Sequence, residues 1–177
     1  MGATPTPKRD ITRLIVSDTG PLLHLQEAGV RDLLAAAGEI HVPTAVNLEM
    51  RGFEPAWPPS QSTWIRITCL DPRADVEALS WQQSGLLHYG EAQAIALARQ
   101  LTADWLLTDD AGARVIAQSL GLEVHGSLGV VLWAAATRRL DRIQADAALD
   151  RLAHSSLWVS SSVLLAAKAA LHRMTSL

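Results

Sequence analysis

The sequence contains only one cysteine, Cys69, among its 177 residues. A single thiol excludes an internal disulfide and a zinc site built from cysteines, and it favours a reducing compartment, so we expect the cytoplasm. Long apolar runs are also missing. The first nine residues lack the apolar core of a signal peptide, and residues 159–170 are interrupted by serines and by Lys168. We therefore expect a protein with no membrane partner.

Several familiar functional patterns are absent as well. A catalytic triad around Ser17 or Thr19 is disfavoured because the chain has no Gly-x-Ser-x-Gly elbow. The run at residues 126–129 lacks the lysine of a Walker motif and the spacing of a dinucleotide fingerprint, so it indicates a turn before a helix. The net charge of −3 gives the whole chain no attraction for nucleic acid, and contact with RNA would need a local patch.

Short apolar segments rich in β-branched residues alternate with helical segments along the chain. The pattern predicts strands at residues 13–17, 40–42, 64–68, 105–108 and 122–124, and helices at residues 22–27, 31–37, 43–50, 71–82, 91–101, 111–120, 128–137, 143–153 and 159–172. Such alternation predicts an α/β fold, a three-layer α/β/α sandwich around a parallel sheet of four to five short strands. The length suits one domain, residues 13–177, after an extended tail at residues 1–12.

Acidic residues follow two of the predicted strands. Asp18 comes directly after residues 13–17, and Asp109 and Asp110 come after residues 105–108. Because the carboxyl ends of parallel strands meet at one edge of the sheet, where ligands bind, we expect these turns to face each other. Each also has a purely structural explanation, since Asp18 suits an N-cap and one of the other two suits the cap of the next helix.

Two glutamates on predicted helices extend this acidic set. Glu91 shares a helical line with Ile95, and Glu49 shares one with Ala45, so both are expected to lean toward apolar faces. Glu91 would also stabilise the start of its helix by roughly 0.3–1 kcal/mol. Each pair of carboxylates at about 4 Å costs on the order of 4 kcal/mol at an effective dielectric near 20, so a cluster needs a cation. Oxygen ligands favour Mg²⁺ or Mn²⁺ over Zn²⁺.

Aromatic and basic residues offer further candidates for contact with RNA. Six tryptophans could stack on bases, but most are expected in the core or at a partner interface; Trp57, in the proline-rich segment 52–62, is the best candidate for a surface role. Residues 134–177 carry six basic and three acidic side chains. That excess could hold RNA phosphates, although a solvated helical face is the simpler explanation.

Four stretches, taken in order, resemble the PIN-domain family of metal-dependent ribonucleases, which includes toxins of bacterial toxin–antitoxin pairs. They are residues 15–22 (IVSDTGPL), 42–49 (VPTAVNLE), 90–98 (GEAQAIALA) and 107–114 (LTDDAGAR). The downstream residues 120–129 (LGLEVHGSLG) resemble a bacterial and archaeal branch of that family that usually lacks a characterised substrate. The resemblance extends over roughly residues 13–141.

The resemblance implies a divalent-metal-dependent endoribonuclease that uses Mg²⁺ or Mn²⁺. It implies an acidic site, both catalytic and metal-binding, formed by Asp18, Glu49, Glu91, Asp109 and Asp110. The family typically has Asp where Glu91 stands, and its Thr-x-Asp pattern leaves both Asp109 and Asp110 as candidates for the fourth position.

Candidates for substrate binding and for partners follow from the same comparison. The substrate-binding candidates are Thr19, Thr108, Arg114, Arg138 and Arg139. The implied partners are an RNA substrate, an antitoxin protein and a second copy of the chain. The alternative is a catalytically inactive module with the same fold that binds nucleic acid or supports assembly. A phosphoacceptor domain of the response-regulator type ranks lower, because it needs a lysine near the acidic pocket and the chain has only Lys8 and Lys168.

Overall fold

A computed structural model describes residues 12–60 and 62–175. The predicted tail at residues 1–12 falls, except for Thr12, outside the described residues. The strands within them are β1 (Leu14–Ser17), β2 (Glu39–Pro43), β3 (Ile65–Thr68), β4 (Trp105–Leu107) and β5 (Val124–His125). The helices are α1 (Thr19–Glu27), α2 (Leu33–Ala37), α3 (Thr44–Phe53), α4 (Pro72–Gln83), α5 (Tyr89–Gln100), α6 (Ala111–Ser119), α7 (Ser127–Ala136), α8 (Arg142–Ala153) and α9 (Ser161–Thr175).

The five strands form one parallel sheet in the order β3-β2-β1-β4-β5. The chain moves outward from β1 to β2 and β3, and then crosses back to place β4 on the other side of β1. This reversal opens a crevice at the carboxyl ends of β1 and β4, which is where open α/β sheets bind ligands. Ser17 pairs with Leu107, and the amide of Asp18 donates to the Leu107 carbonyl at 2.9 Å, so the two acidic turns leave the sheet side by side.

The central strands are apolar because helices cover both faces of the sheet. Ile15 and Leu107 pack in one core with residues of α1, α2, α7, α8 and α9. Val16 and Leu106 pack in a second core with residues of α4, α5 and α6. All four strand residues are fully buried. The predicted three-layer α/β/α sandwich with a parallel sheet is therefore confirmed.

Aspartate caps decide where two helices of the sheet edge begin. The Asp18 Oδ1 atom accepts a hydrogen bond from the amide of Thr19 at 2.6 Å, so α1 starts three residues earlier than the apolar pattern predicts. Asp110 Oδ1 accepts from the amide of Ala113 at 2.7 Å and starts α6. Pro43 ends β2 and stands before α3 instead of in its first turn. The two aspartate caps satisfy amides that have no partner inside the helix.

The expectation that Trp57 lies at the surface is wrong. Its side chain is only 4% exposed, because the proline-rich segment folds back on the domain. The indole N–H donates to Asn47 Oδ1 at 3.2 Å, and the guanidinium of Arg31 lies 5.2 Å from the ring centroid. Arg31 is fixed in turn by Glu54 at 2.6 Å. A buried indole with a satisfied N–H is a structural feature, not a free surface.

The C-terminal helices complete the layer that covers α1. Leu149 and Leu152 of α8 and Leu171 of α9 belong to the same core as Ile15. None of the helices within residues 12–60 and 62–175 has the length and apolar character needed to cross a lipid bilayer.

Candidate functional site

A cavity of about 610 Å³ opens at the carboxyl ends of β1 and β4. All five predicted acidic residues line it: Asp18, Glu49, Glu91, Asp109 and Asp110. They come from the ends of β1 and β4 and from α3 and α5, so the parallel topology gathers carboxylates that are distant in sequence. Among the residues that the structure describes, no lysine or arginine lines the cavity. The cavity therefore concentrates negative charge in a protein whose net charge is only −3.

Asp18 is the most enclosed of these carboxylates, with 6% of the residue exposed. The pKa of its carboxyl is raised from 3.8 to about 7, mainly by burial and to a smaller extent by the nearby charges of Glu91 and Glu49. Two hydrogen bonds oppose this shift, from the amide of Thr19 at 2.6 Å and from the hydroxyl of Thr108 at 3.0 Å. Since the charged form lacks sufficient compensation from the protein, a cation bound nearby would stabilise it.

Glu91 combines a structural role with a place in the cavity. It stands in the first turn of α5, where its Oε2 atom accepts a hydrogen bond from the amide of His88 at 2.9 Å. Partial burial raises the pKa of the Glu91 carboxyl, and the charges of Asp110 and Glu49 add to that effect. Glu91 therefore accepts a hydrogen bond at the start of α5 and also lines the cavity.

Glu49 differs from its predicted orientation. The residue is exposed at the rim of the cavity and does not lean into an apolar face, because its carboxylate turns toward the start of α5. The hydroxyl of Thr19 donates to its Oε2 atom. Gly90 allows the approach, since a Cβ atom at that position would lie 2.6 Å from Glu49 Oε1. The absence of a side chain at Gly90 therefore leaves room for the Glu49 carboxylate in this position.

Asp109 and Asp110 have different surroundings. Asp109 accepts three hydrogen bonds: from the Ser127 amide at 2.7 Å, the Ser127 hydroxyl at 2.6 Å and His24 Nδ1 at 2.7 Å. Asp110 Oδ1 caps α6, whereas its Oδ2 atom accepts no hydrogen bond from the described part of the chain. The Asp110 charge is also the one that acts on Glu91. Asp110 therefore has an oxygen available to a cation, while Asp109 fixes the start of α7.

Thr108 and Arg114 support the site from outside the cavity. Thr108 is buried; its hydroxyl donates to Asp18 and accepts from the amide of Asp110 at 3.3 Å. The guanidinium of Arg114 donates to the carbonyls of Thr108 at 3.2 Å and Val124 at 3.4 Å. Both residues hold the end of β4 in place, and neither lines the cavity.

Arg138 and Arg139 lie far from the acidic residues. They follow the last residue of α7, whose first residue, Ser127, contacts Asp109. A helix of ten residues is about 15 Å long, so the two arginines lie toward the opposite edge of the sheet. Arg139 lines a separate cavity there with Arg13, and its guanidinium lies 5.3 Å from the centroid of Trp133.

Six residues that line the cavity were not predicted as site residues: Gly20, His24, His88, Ala111, Leu157 and Trp158. His24 and Trp158 have side chains suited to contact a ligand. His24 lies on α1 one turn after Gly20, so both residues face the cavity. His24 was missed because the apolar pattern begins this helix at residue 22 instead of Thr19. Trp158 lines the cavity from the segment between α8 and α9 and is 86% exposed. No local pattern distinguishes it from the other tryptophans, because its exposure depends on how α8 and α9 dock.

The described side chains do not form a preassembled metal-binding group. No three Asp, Glu, His or Cys residues within residues 12–60 and 62–175 converge closely enough for that. The donor chemistry nevertheless fits a divalent cation, since Asp18, Glu49, Glu91 and Asp110 supply carboxylate oxygens. Burial, with a smaller contribution from neighbouring carboxylates, raises the pKa of Asp18 and Glu91. Mutual repulsion disfavours close approach of the four carboxylates without a counterion.

Comparison with known proteins gives one finding. A family model described as a PIN domain matches residues 14–173, which extends the similarity beyond residue 141 and through most of α9. PIN domains are generally nucleases and typically use divalent metal ions. No significant match was found among curated proteins or among solved structures.

Proposed function

Because the chain belongs to the PIN-domain family, we propose that it is a divalent-metal-dependent endoribonuclease that hydrolyses phosphodiester bonds in RNA. The main support is a cavity lined by five carboxylates and, among the described residues, by no lysine or arginine. Such a cavity repels an RNA phosphate unless a cation lies between them. Mg²⁺ or Mn²⁺ would polarise the phosphoryl oxygen there and lower the pKa of a bound water.

The chain itself would hold the cation through Asp18, Glu49, Glu91 and Asp110. Asp18 is partly protonated at neutral pH, since the pKa of its carboxyl is about 7, so binding a cation requires it to release its proton. Thr108 keeps the Asp18 side chain oriented through its hydroxyl. Metal affinity should therefore rise as the pH increases through 7.

The proposal is tested by Mn²⁺ titration in a calorimeter and by cleavage of a labelled RNA. The wild type should bind Mn²⁺ and cleave, and Asp18→Asn should lose both. Asp32→Asn is the matched control, because Asp32 is an exposed carboxylate that makes no capping hydrogen bond at the start of α2. If the wild type binds no Mn²⁺ and cuts no RNA, the enzyme proposal fails and the inactive binding module becomes the better explanation.

The toxin role is a narrower proposal, supported by the sequence resemblance to PIN-domain toxins. Induced expression of the wild type in a bacterial host should arrest growth, and Asp18→Asn should relieve the arrest at equal protein level. Normal growth with abundant wild-type protein that cleaves RNA in vitro would contradict a toxin role without contradicting the nuclease.

A further inference from the structure

Trp158 stands out from the other tryptophans by its exposure. The residue is 86% exposed, the highest value among the large hydrophobic residues that the structure describes, whereas Trp57 and Trp105 are 4% and 6% exposed. Its indole makes no ring stacking, cation–π contact or hydrogen bond with the described residues. A tryptophan usually buries most of its ring, and one that borders a cavity presents an apolar face to a ligand there.

The three residues before Trp158 are anchored to the rest of the domain. The amide and hydroxyl of Ser156 donate to Glu27 Oε2 at the end of α1, at 2.7 and 2.8 Å. The Ser155 hydroxyl donates to the carbonyl of Leu152 at 2.6 Å, and Leu157 packs against the core. These contacts fix the backbone immediately before Trp158, so its position beside the cavity follows from the fold.

Trp158 forms part of the same cavity as Asp18 and Asp110. A nucleotide whose phosphate lies at the carboxylates could therefore place its base in the part of the cavity that the indole borders. The cavity has no lysine or arginine from the described residues to attract RNA, so contacts that do not depend on charge gain importance within it. Stacking on an aromatic ring is such a contact, and it tolerates any base.

We propose that Trp158 stacks on a nucleobase of the RNA next to the cleaved phosphodiester bond. The proposal rests on the proposed ribonuclease function and assigns this chain a substrate-positioning residue outside the acidic set. The stacked base must be unpaired in that position, because the indole needs access to its face. Trp158 contributes to substrate binding and has no part in holding the cation.

The experiment compares cleavage of a short RNA with a defined cut site by the wild type, Trp158→Ala and Trp158→Phe in Mn²⁺. Removing a base–aromatic stack costs an affinity factor of about 5 to 150, so Trp158→Ala should raise KM by that factor with little change in kcat, and Trp158→Phe should restore most of the loss. Leu165→Ala is the matched control, since Leu165 of α9 is 67% exposed and lies outside the cavity.

A second substrate tests the base directly. The wild type should bind an RNA with an abasic ribose beside the cut site more weakly than the intact RNA. Trp158→Ala should bind the two RNAs with equal affinity, because it lacks the indole that stacks on the missing base. Equal KM values for the wild type and Trp158→Ala on the intact RNA would overturn the proposal while the nuclease function stands. A shift in oligomeric state on size exclusion for Trp158→Ala would overturn it too, in favour of an interface between copies.

The binding of RNA separates the two proposals if cleavage is absent. Fluorescence anisotropy with the same labelled RNA should show weaker binding by Trp158→Ala than by the wild type. If the wild type binds RNA through Trp158 but does not cut, the nuclease proposal fails and Trp158 is a base-stacking residue of an RNA-binding module, which overturns its placement beside a cleaved bond. If the wild type neither binds nor cuts, both are overturned. Mn²⁺ affinity should be the same for the wild type and Trp158→Ala.

Discussion

Asp18→Asn should stabilise the metal-free protein, and the gain should grow with pH. The pKa of the Asp18 carboxyl is 3.8 as a model group and about 7 in the folded chain. Between these values the unfolded state has lost a proton that the folded state keeps, so the free energy of unfolding of the wild type falls as the pH rises. The shift of about three pKa units corresponds to about 4 kcal/mol once both states are ionised.

Asparagine does not ionise, so the free energy of unfolding of Asp18→Asn lacks the pH-dependent contribution of residue 18. Its Oδ1 atom can still accept from the Thr19 amide, and the Thr108 hydroxyl can accept from its amide group in place of donating. Any cost of that rearrangement is the same at every pH. The advantage of Asp18→Asn over the wild type should therefore increase by about 2–3 kcal/mol from pH 5 to pH 8.

Urea unfolding followed by circular dichroism, with EDTA present, measures this difference at pH 5, 6, 7 and 8. Asp32→Asn should show no such trend relative to the wild type. A difference between Asp18→Asn and the wild type that stays constant across this range would refute the reasoning about burial and charge at Asp18. With Mn²⁺ at about 100 times its Kd, the wild type should gain about 2.7 kcal/mol and the variant almost nothing, which reverses much of the advantage.

Three further predictions distinguish the roles of residues around the cavity. Asp110→Asn should weaken Mn²⁺ binding by about tenfold or more in calorimetry, whereas Asp109→Asn should lower the free energy of unfolding by about 1–3 kcal/mol through its lost contacts with Ser127 and His24. The reverse assignment of these two effects would show that Asp109 is the ligand. Gly90→Ala should displace the Glu49 carboxylate and weaken Mn²⁺ binding. Gly52→Ala is the control and should bind Mn²⁺ like the wild type, because a Cβ atom at Gly52 meets nothing within 4 Å. Equal Mn²⁺ affinities of Gly90→Ala and the wild type would show that the Glu49 side chain adapts. Arg138→Ala and Arg139→Ala should each change the RNA cleavage rate by no more than about twofold, because charges beyond the Debye length of about 8 Å are screened. A large loss of cleavage in either variant would indicate that the RNA extends across the far edge of the sheet.

The sheet and its acidic edge could be predicted because the determining signals are local. Apolar runs buried on both faces identify the strands, and the residue after each run defines the turn, so Asp18 and the Asp109–Asp110 pair were recognisable without any long-range information. The different surroundings of Asp109 and Asp110 were not predictable. They depend on Ser127, seventeen or more residues away, whose amide and hydroxyl donate to Asp109, whereas Asp110 Oδ2 accepts no hydrogen bond from the described residues.

Other site features depend on tertiary docking and escaped prediction for that reason. The proline-rich context of Trp57 suggested exposure, but the loop packs inward and the indole finds Asn47. A count of basic residues near the C-terminus contains no spatial information. Arg138 and Arg139 follow the end of α7 that is distant from the carboxylates. The place of Trp158 beside the cavity also depends on distant contacts, since Leu157 packs on the core and Ser156 donates to Glu27.

Three of the four candidate ligands already bind a backbone amide at the start of a helix. Asp18 binds the amide of Thr19 in α1, Glu91 that of His88 before α5, and Asp110 that of Ala113 in α6. A cation held by these carboxylates would tie three helix starts to one another, so its binding should slow hydrogen exchange at those amides even though none of them touches it. The same link implies that fraying at any one helix start loosens the metal, which makes amide exchange in the first turns a sensitive indicator of site occupancy.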